Sequence, residues 1–282
     1  MNKLVGFVKL MRPVNCAMMG FAVFVGALLV TSSLQANWIN IVFGFFTGFL
    51  LCAAAMTIND YYDRAIDLVN EPMRPIPSGL VSAKEALAFV AGLTVIGLVL
   101  AYFSNFFCLI VAAVAWVVTV AYVTIGKRSG LPGNFLVSIC VAIPFIYGSI
   151  AITGTLQINV LLFALMAFLS NTGREITKGI VDVKGDSAEG IKTLAVRYGE
   201  KGAAIAASAF FIAAVVLTPI PLSYGLVSFW FIPFVLVTNL GLIVCSALLL
   251  HNHSRENSRK IKNLVLLWFV FGLLAFIFGS FK

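Results

Sequence analysis

The sequence predicts an all-α integral membrane protein, built as a bundle of nine transmembrane helices. Hydrophobic residues make up 61% of the chain and charged residues only 11%, and the mean hydropathy is +1.04. A soluble domain carries roughly a quarter charged residues. The apolar residues form long continuous runs instead of the alternating pattern of a transmembrane β-barrel, which favours helices. We expect residues 1–282 to form a single transmembrane domain.

Nine apolar runs are long enough to cross a bilayer, which takes about 20 mostly apolar residues per helix. Short polar turns separate some of these runs, and longer charged loops separate the others. The predicted spans are residues 14–34, 38–58, 86–103, 107–125, 134–153, 157–176, 203–220, 229–250 and 263–281.

The positions of the basic residues predict how these spans are oriented. Lysines and arginines precede the first run and lie in every second connection, whereas the alternate connections contain none. By the positive-inside rule, the N-terminus and the charged loops are cytoplasmic, and nine spans place the C-terminus outside. The net charge of +8 therefore lies almost wholly on the cytoplasmic face. This charge attracts anionic lipid headgroups or guides an anionic substrate, and composition does not separate the two roles.

Two acidic stretches follow apolar runs of the chain. The first reads N-D-Y-Y-D-R-A-I-D over residues 59–67, and the second reads D-V-K-G-D over residues 182–186. Together they hold five of the 11 acidic residues. Carboxylates beside hydrocarbon are costly, so their presence there indicates function. Because four spans separate the two stretches, we expect both on the cytoplasmic face, as one shared site requires.

The spacing of the first stretch places its polar groups on one helical face. Asn59, Asp63 and Asp67 are four residues apart, and Asp60 precedes Asp67 by two turns. Few cations lie within the stretch itself, so its carboxylates would repel one another unless metal ions neutralised them. A salt-bridged helix end at the level of the headgroups is the structural alternative.

The second stretch continues a polar stripe that begins earlier in the chain. Arg174, Lys178, Asp182 and Asp186 also follow one another at steps of four residues. Gly185 weakens the helix, so a loop at the end of the stripe is an alternative. Clustered carboxylates with cations nearby predict a site for Mg²⁺ and a phosphorylated substrate, since Mg²⁺ takes oxygen ligands and shares substrate phosphates. A diphosphate would bridge the two stripes.

At these residues the chain resembles the UbiA superfamily of intramembrane prenyltransferases. That family has nine transmembrane helices and the motifs N-D-x-x-D-x-x-x-D and D-x-x-x-D, which match residues 59–67 and 182–186. The segment R-P-I-P-S-G over residues 74–79 is similar to the R-P-x-x-S-G stretch of the family. The resemblance covers essentially the whole chain and implies Mg²⁺-dependent transfer of a prenyl group from a diphosphate.

A narrower resemblance concerns the acceptor of the prenyl group. The segments F-V-K-L-M-R-P-V-N-C over residues 7–16 and R-E-I-T-K-G-I-V-D-V-K-G-D over residues 174–186 are similar to the archaeal digeranylgeranylglyceryl phosphate synthase family. This resemblance implies transfer of geranylgeranyl from its diphosphate to the hydroxyl of geranylgeranylglyceryl phosphate in ether-lipid synthesis. An aromatic acceptor of the hydroxybenzoate or naphthoate type, used in quinone synthesis, is the alternative within prenyl transfer.

The resemblance implies a role for each polar residue of the two stretches. Bound Mg²⁺ would act as a Lewis acid on the diphosphate leaving group. The expected metal ligands are Asn59, Asp60, Asp63, Asp67, Asp182 and Asp186, with Asp60 as a supporting partner. The residues expected to be catalytic are Asp63, Asp67, Asp182 and Asp186. The cations expected to contact the diphosphate are Arg64, Lys127 and Lys178.

Three further residues are candidates for the acceptor site or the substrate pocket. Asn15 lies early in the first span, where hydrogen bonding between helices is the alternative role. Arg74 lies beside two prolines, so loop structure is its alternative, and interfacial anchoring is the alternative for Tyr122. Anchoring by the positive-inside rule is likewise the alternative for Lys127.

Two other classes of membrane protein use intramembrane carboxylates. Transporters place them on ion pathways, but here the acids lie at one face and the spans show no inverted repeat. Lipid-headgroup phosphotransferases also pair aspartates with a divalent metal, but along a single longer motif. We expect a multi-pass protein of the cell membrane whose active site faces the cytoplasm. Its expected partners are a prenyl diphosphate, a lipid-phosphate acceptor and membrane lipid, with no nucleic acid.

Overall fold

The computed structural model describes residues 2–31, 34–188 and 190–281. Over these residues all regular structure is helical, as the sequence predicts, with eleven α-helices and one short 3-10 helix. The α-helices are α1 (Lys3–Met11), α2 (Pro13–Leu28), α3 (Leu34–Asn70), α4 (Ala83–Ser104), α5 (Phe106–Thr124), α6 (Leu131–Thr153), α7 (Ile158–Ala188), α8 (Leu194–Leu217), α9 (Pro219–Ser223), α10 (Phe231–His251) and α11 (Arg255–Ser280). The 3-10 helix covers Gly126–Ser129.

Most of these helices are apolar enough to cross a bilayer. Within the described residues, seven helices have the length and composition of a membrane span, and α1 with α2 also qualifies when the bent pair is counted as one. Helix α7 is not among them, because its second half carries Asn171, Arg174, Glu175 and Lys178. The chain is therefore a multi-pass helical membrane protein.

The bend between α1 and α2 lies at a single residue. The two helices meet at an angle of 44°, and Arg12 between them has a left-handed backbone with φ of 52°. Pro13 follows at the first position of α2, where a missing N–H costs no helical hydrogen bond. The bend places the Arg12 side chain beside α3, which matters for the site described below.

The chain divides into two compact units, of which the first comprises Met1–Thr124 and Pro144–Leu156. In this unit α3 packs between α2 and α4. Close packing of α2 on the second half of α6 depends on Gly26, where a Cβ atom would overlap the backbone carbonyl of Phe145. The buried hydroxyl of Tyr147 lies 3.3 Å from the hydroxyl oxygens of both Thr47 and Ser104, which ties α6 to α3 and α4.

The second unit comprises Ile125–Ile143 and Gln157–Lys282. Here α7 packs against α8 and α11, and α10 packs against α8 and α11. The buried core joins Ile176 and Ile180 of α7 with Phe211 of α8 and Ile261 of α11. Hydroxyl and amide groups of Asn171 and Thr172 bind Ser138, so the polar second half of α7 is also held by buried hydrogen bonds.

Candidate active site

The first acidic stretch lies entirely on α3. This helix continues twelve residues beyond the predicted end of its apolar run and ends at Asn70. Asn59, Asp63 and Asp67 therefore share one helical face, as predicted. The Asn59 side-chain amide donates to the Asp63 carboxylate over 3.0 Å, which orients that carboxylate. Asp60 and Asp67 are buried, whereas Asn59 and Asp63 are half-buried.

Two arginines from outside the stretch neutralise its buried carboxylates. Arg12, at the bend between α1 and α2, binds Asp60 with an N–O distance of 2.6 Å. Arg74, in the loop after α3, binds Asp67 at 2.6 Å and lies 3.6 Å from Asp60. Few cations lie within the motif, as noted, but the tertiary fold brings Arg12 to Asp60 and Arg74 to Asp67, so metal ions are not the only cations beside these carboxylates.

Arg74 also organises the loop between α3 and α4. Its backbone carbonyl accepts a hydrogen bond from the Ser78 amide, and the Val81 amide donates to the Pro75 carbonyl. Burial alone would lower the pKa of the Arg74 guanidinium, but Asp67 and Asp60 raise it above its ordinary value, so this cation is permanent. Arg74 thus stabilises the loop, which is the alternative role predicted for it, and it also lines a cavity.

This cavity has a volume of about 280 Å³ and opens beside the ion pairs. Its lining combines cations and carboxylates from α1, α3 and the loop after α3. The lining residues are Lys9, Arg12, Asp60, Glu71, Met73, Arg74 and Pro75. A small charged group could bind here, so Arg74 remains a candidate for the acceptor site.

The other candidates of the first unit make contacts of a different kind. Arg64 is exposed, donates to the backbone carbonyl of Tyr61 and lies 4.4 Å from the centre of its ring. Asn15 is exposed, and its amide nitrogen lies 3.9 Å from the Met56 sulfur, a contact between α2 and α3. Tyr122 is half-buried and packs against an apolar core cluster.

The second acidic stretch lies within α7, which continues to Ala188. Asp182 and Asp186 are therefore both helical, and the alternative of a loop is not observed. Asp182 is exposed and Asp186 is half-buried. Asp182 interacts electrostatically with Lys262 of α11, a residue that the sequence analysis did not single out.

A buried carboxylate, Glu175, lies two turns before Asp182 on α7. Its side chain is 8% exposed and binds Arg174 at 2.9 Å and Lys178 at 3.5 Å. Lys178, expected to contact the diphosphate, is thus partly engaged by Glu175. Glu175 was not among the site residues predicted from the sequence, although its position one turn before Lys178 was a usable signal.

The last predicted cation, Lys127, lies in the 3-10 helix and is half-buried. The loop after it is tightly packed. Gly130 has a φ of +73°, and a Cβ atom there would overlap the Lys192 carbonyl. Position 130, three residues after Lys127, therefore has no room for a larger side chain.

The oxygen donors fit Mg²⁺ better than a transition metal. Across residues 2–31, 34–188 and 190–281, no three His, Cys, Asp or Glu side chains converge in the way a complete protein cage would require. Mg²⁺ does not need such a cage, since it binds one or two carboxylates and completes its shell with water and phosphate. The half-buried Asn59 and Asp63 on α3, and Asp182 and Asp186 on α7, are oxygen donors of this kind.

The comparisons with known sequences point in the same direction. The model of the UbiA prenyltransferase family matches residues 19–278. A digeranylgeranylglyceryl phosphate synthase of Korarchaeum cryptofilum is 34% identical over 283 residues, covering 100% of this chain and 99% of that protein. Another, of Methanopyrus kandleri, is 36% identical and covers 96% of this chain and 97% of that protein.

Solved structures share the fold. A structure described as digeranylgeranylglyceryl phosphate synthase in membranes superimposes with a TM-score of 0.80, at 32% identity and 99% coverage of both chains. A UbiA homologue from Archaeoglobus fulgidus bound to DMAPP and Mg²⁺ superimposes with a TM-score of 0.65 over 96% of this chain, at 19% identity. That second likeness concerns the fold alone. With a family match over most of its length and relatives above 30% identity along the whole chain, this protein is a prenyltransferase and belongs to the UbiA prenyltransferase family.

Proposed function

We propose that this protein transfers a geranylgeranyl group from geranylgeranyl diphosphate to the hydroxyl of geranylgeranylglyceryl phosphate, releasing diphosphate. The product is digeranylgeranylglyceryl phosphate, an archaeal ether-lipid precursor. The main support is that relatives carrying this synthase name align with the chain from end to end. The acidic helix ends of α3 and α7 support it chemically, because they offer carboxylates at which a metal–diphosphate complex can bind.

The metal in this proposal is Mg²⁺, with donors on both helices. On α3 the proposed ligands are Asn59, Asp63 and Asp67, and on α7 they are Asp182 and Asp186. When bound, Mg²⁺ would supply Lewis-acid assistance to the diphosphate as the allylic C–O bond breaks. Asp60, which binds Arg12 and lies near Arg74, supports the other carboxylates instead of holding metal directly.

The protein's own side chains bind and orient the substrates. Arg64, Lys127 and Lys178 are proposed to contact the diphosphate, where an arginine can make two parallel hydrogen bonds. Arg74 holds Asp67 in place across the loop, and the Asn59 amide orients Asp63. Because these side chains are held in place before the substrates bind, few of them need to move on binding. This lowers the free-energy cost of assembling the charged complex.

We also propose that the whole chain acts as one prenyltransferase domain with nine spans. Seven helices and the bent pair supply eight of them, and α7 with its apolar first half would supply the ninth. The basic loops then favour a cytoplasmic N-terminus, an external C-terminus and a cytoplasmic active site in the cell membrane. Labelling of single cysteines placed in successive loops tests this topology. A loop that is labelled from both sides of the membrane would contradict it.

The acceptor is tested with purified protein, Mg²⁺ and geranylgeranyl diphosphate. A panel of geranylgeranylglyceryl phosphate, hydroxybenzoate and a dihydroxynaphthoate serves as acceptors, with product identified by mass spectrometry. We expect product with the glycerol-phosphate lipid and none with the aromatic acids. Product with an aromatic acid only would overturn the proposed acceptor and leave the prenyltransferase assignment intact.

A further inference from the structure

The first turns of α11 lie against the second half of α7. The Arg255 guanidinium donates from its Nε atom to the Val181 carbonyl over 3.1 Å. Ile261 is buried in one core cluster with Ile176 and Ile180. Since later residues of α11 meet earlier residues of α7, the two helices run antiparallel. Helix α11 therefore runs from the acidic stretch of α7 toward Arg174 and Lys178.

Basic residues recur along this part of α11 with helical spacing. Arg255, Arg259 and Lys262 are four and three residues apart, which places them on neighbouring positions of one face. Lys262 is half-buried. It interacts electrostatically with Asp182, Lys178, Arg174 and Arg259, and also with Glu175.

Among the described residues that act on Lys262, cations outnumber carboxylates. Arg174, Lys178 and Arg259 each repel Lys262, whereas Asp182 and Glu175 attract it. Glu175 already binds two of the cations directly. Like charges that are partly removed from water repel one another, and an anion bound among them would relieve this repulsion.

Arg174 supplies a second and independent indication of a ligand. Its side chain is 20% exposed, and its Nε atom is buried without a hydrogen-bond acceptor among the residues the structure describes. A buried N–H group without an acceptor is costly, so such groups are rare and call for an explanation. A guanidinium with a spare donor beside an ammonium group suits a phosphate oxygen.

We propose that Lys262, together with Arg174, binds a phosphate group of an anionic lipid substrate. This inference rests on the proposed function and adds a residue of α11 to its binding site. The phosphate belongs either to the diphosphate of the prenyl donor or to the phosphate of the acceptor lipid. Both have the same recognition chemistry, so the experiment below distinguishes them.

The test compares Lys262→Met with Lys260→Met as the matched control. Lys260 lies two residues away on the same helix, but it is 69% exposed and pairs with Glu256 at 2.9 Å. We expect Lys262→Met to raise KM for one substrate about tenfold, the usual effect of losing a charged hydrogen bond, and Lys260→Met to leave it unchanged. Lys262→Arg should restore most of the loss.

The two substrates give separate answers. A rise in KM for geranylgeranyl diphosphate, with a parallel loss of inhibition by inorganic diphosphate, assigns Lys262 to the donor. A rise in KM for geranylgeranylglyceryl phosphate alone assigns it to the acceptor. If both KM values and the inhibition constant stay within about twofold of the wild-type values, the proposal is wrong.

Direct binding keeps this test independent of turnover. Calorimetric titration of the full chain with inorganic diphosphate and with glycerol phosphate measures the same contacts without any acceptor chemistry. A wild-type protein inactive with the proposed acceptor would overturn the proposed function, yet weaker binding by Lys262→Met would still support this inference. Equal binding of both probes to the two proteins would overturn it. Lys262→Gln, checked by its melting temperature, replaces Lys262→Met should the latter fail to fold.

Discussion

The two acidic helix ends have the same spacing of aspartates but different surroundings. On α3, Asp60 and Asp67 are buried and held by arginines from other elements. On α7, Asp182 is exposed, and the buried carboxylate that binds cations is Glu175, two turns earlier. A shared motif spacing therefore sets which helical face carries the carboxylates, but it does not set their charge environment.

The two helix ends therefore differ in how their charged groups are held before substrate binds. The first has its buried carboxylates fixed before substrate binds, since Asp60 and Asp67 each already bind an arginine. The second has an exposed Asp182 and a half-buried Asp186, and it has several cations nearby to which an anion is attracted.

Removing one aspartate from each helix end should have the largest effect. We expect Asp63→Ala and Asp182→Ala each to reduce Mg²⁺-dependent kcat/KM by at least about 100-fold, because each deletes a proposed metal ligand. Initial rates at several Mg²⁺ concentrations measure this. Melting temperatures near that of the wild type would show that both variants fold. Full activity in either variant would remove that aspartate from the metal site.

Substitution of the arginine that spans the first helix end should reduce stability as well as activity. Arg74→Met leaves Asp67 buried without its 2.6 Å partner. Because the arginine side chain is 34% exposed, we expect a loss of about 1–2 kcal/mol, less than for a fully buried pair. Thermal unfolding in detergent measures the loss. The double variant Arg74→Met/Asp67→Asn should recover part of it, and an unchanged melting temperature in the single variant would contradict the pairing.

Glu175→Gln probes the corresponding ion pair of the second helix end. The change keeps the shape of the side chain but removes the carboxylate charge that binds Arg174 and Lys178. We expect destabilisation of about 1–3 kcal/mol, since breaking a buried charge-assisted contact costs this much. Chemical or thermal unfolding measures it. Equal stability of Glu175→Gln and wild type would show that the pair contributes nothing to the fold.

The smallest effect is expected from Arg64→Ala. This side chain is exposed and lies against Tyr61. Its electrostatic attraction to a diphosphate would therefore be screened by solvent. We expect KM for geranylgeranyl diphosphate to rise about threefold at low salt and less at high salt. A tenfold or larger rise that persists at high salt would instead indicate a direct contact.

Local regularities account for what could be predicted from the sequence. The steps of four residues from Asn59 to Asp67 and from Arg174 to Asp186 describe real helical faces, because helical periodicity depends only on neighbouring residues. Apolar composition likewise predicted an all-helical membrane protein. The family resemblance also depended on these short motifs, and the match over residues 19–278 confirms it.

The partners of the carboxylates were decided only by tertiary structure. Arg12 lies 48 residues before Asp60 along the chain, and Lys262 lies on a different helix from Asp182. No periodicity links such residues, because an ion pair depends on how bends and loops return the chain to the same place. Local sequence patterns therefore set the helices and the faces that carry their charges, whereas helix packing decided which charges meet.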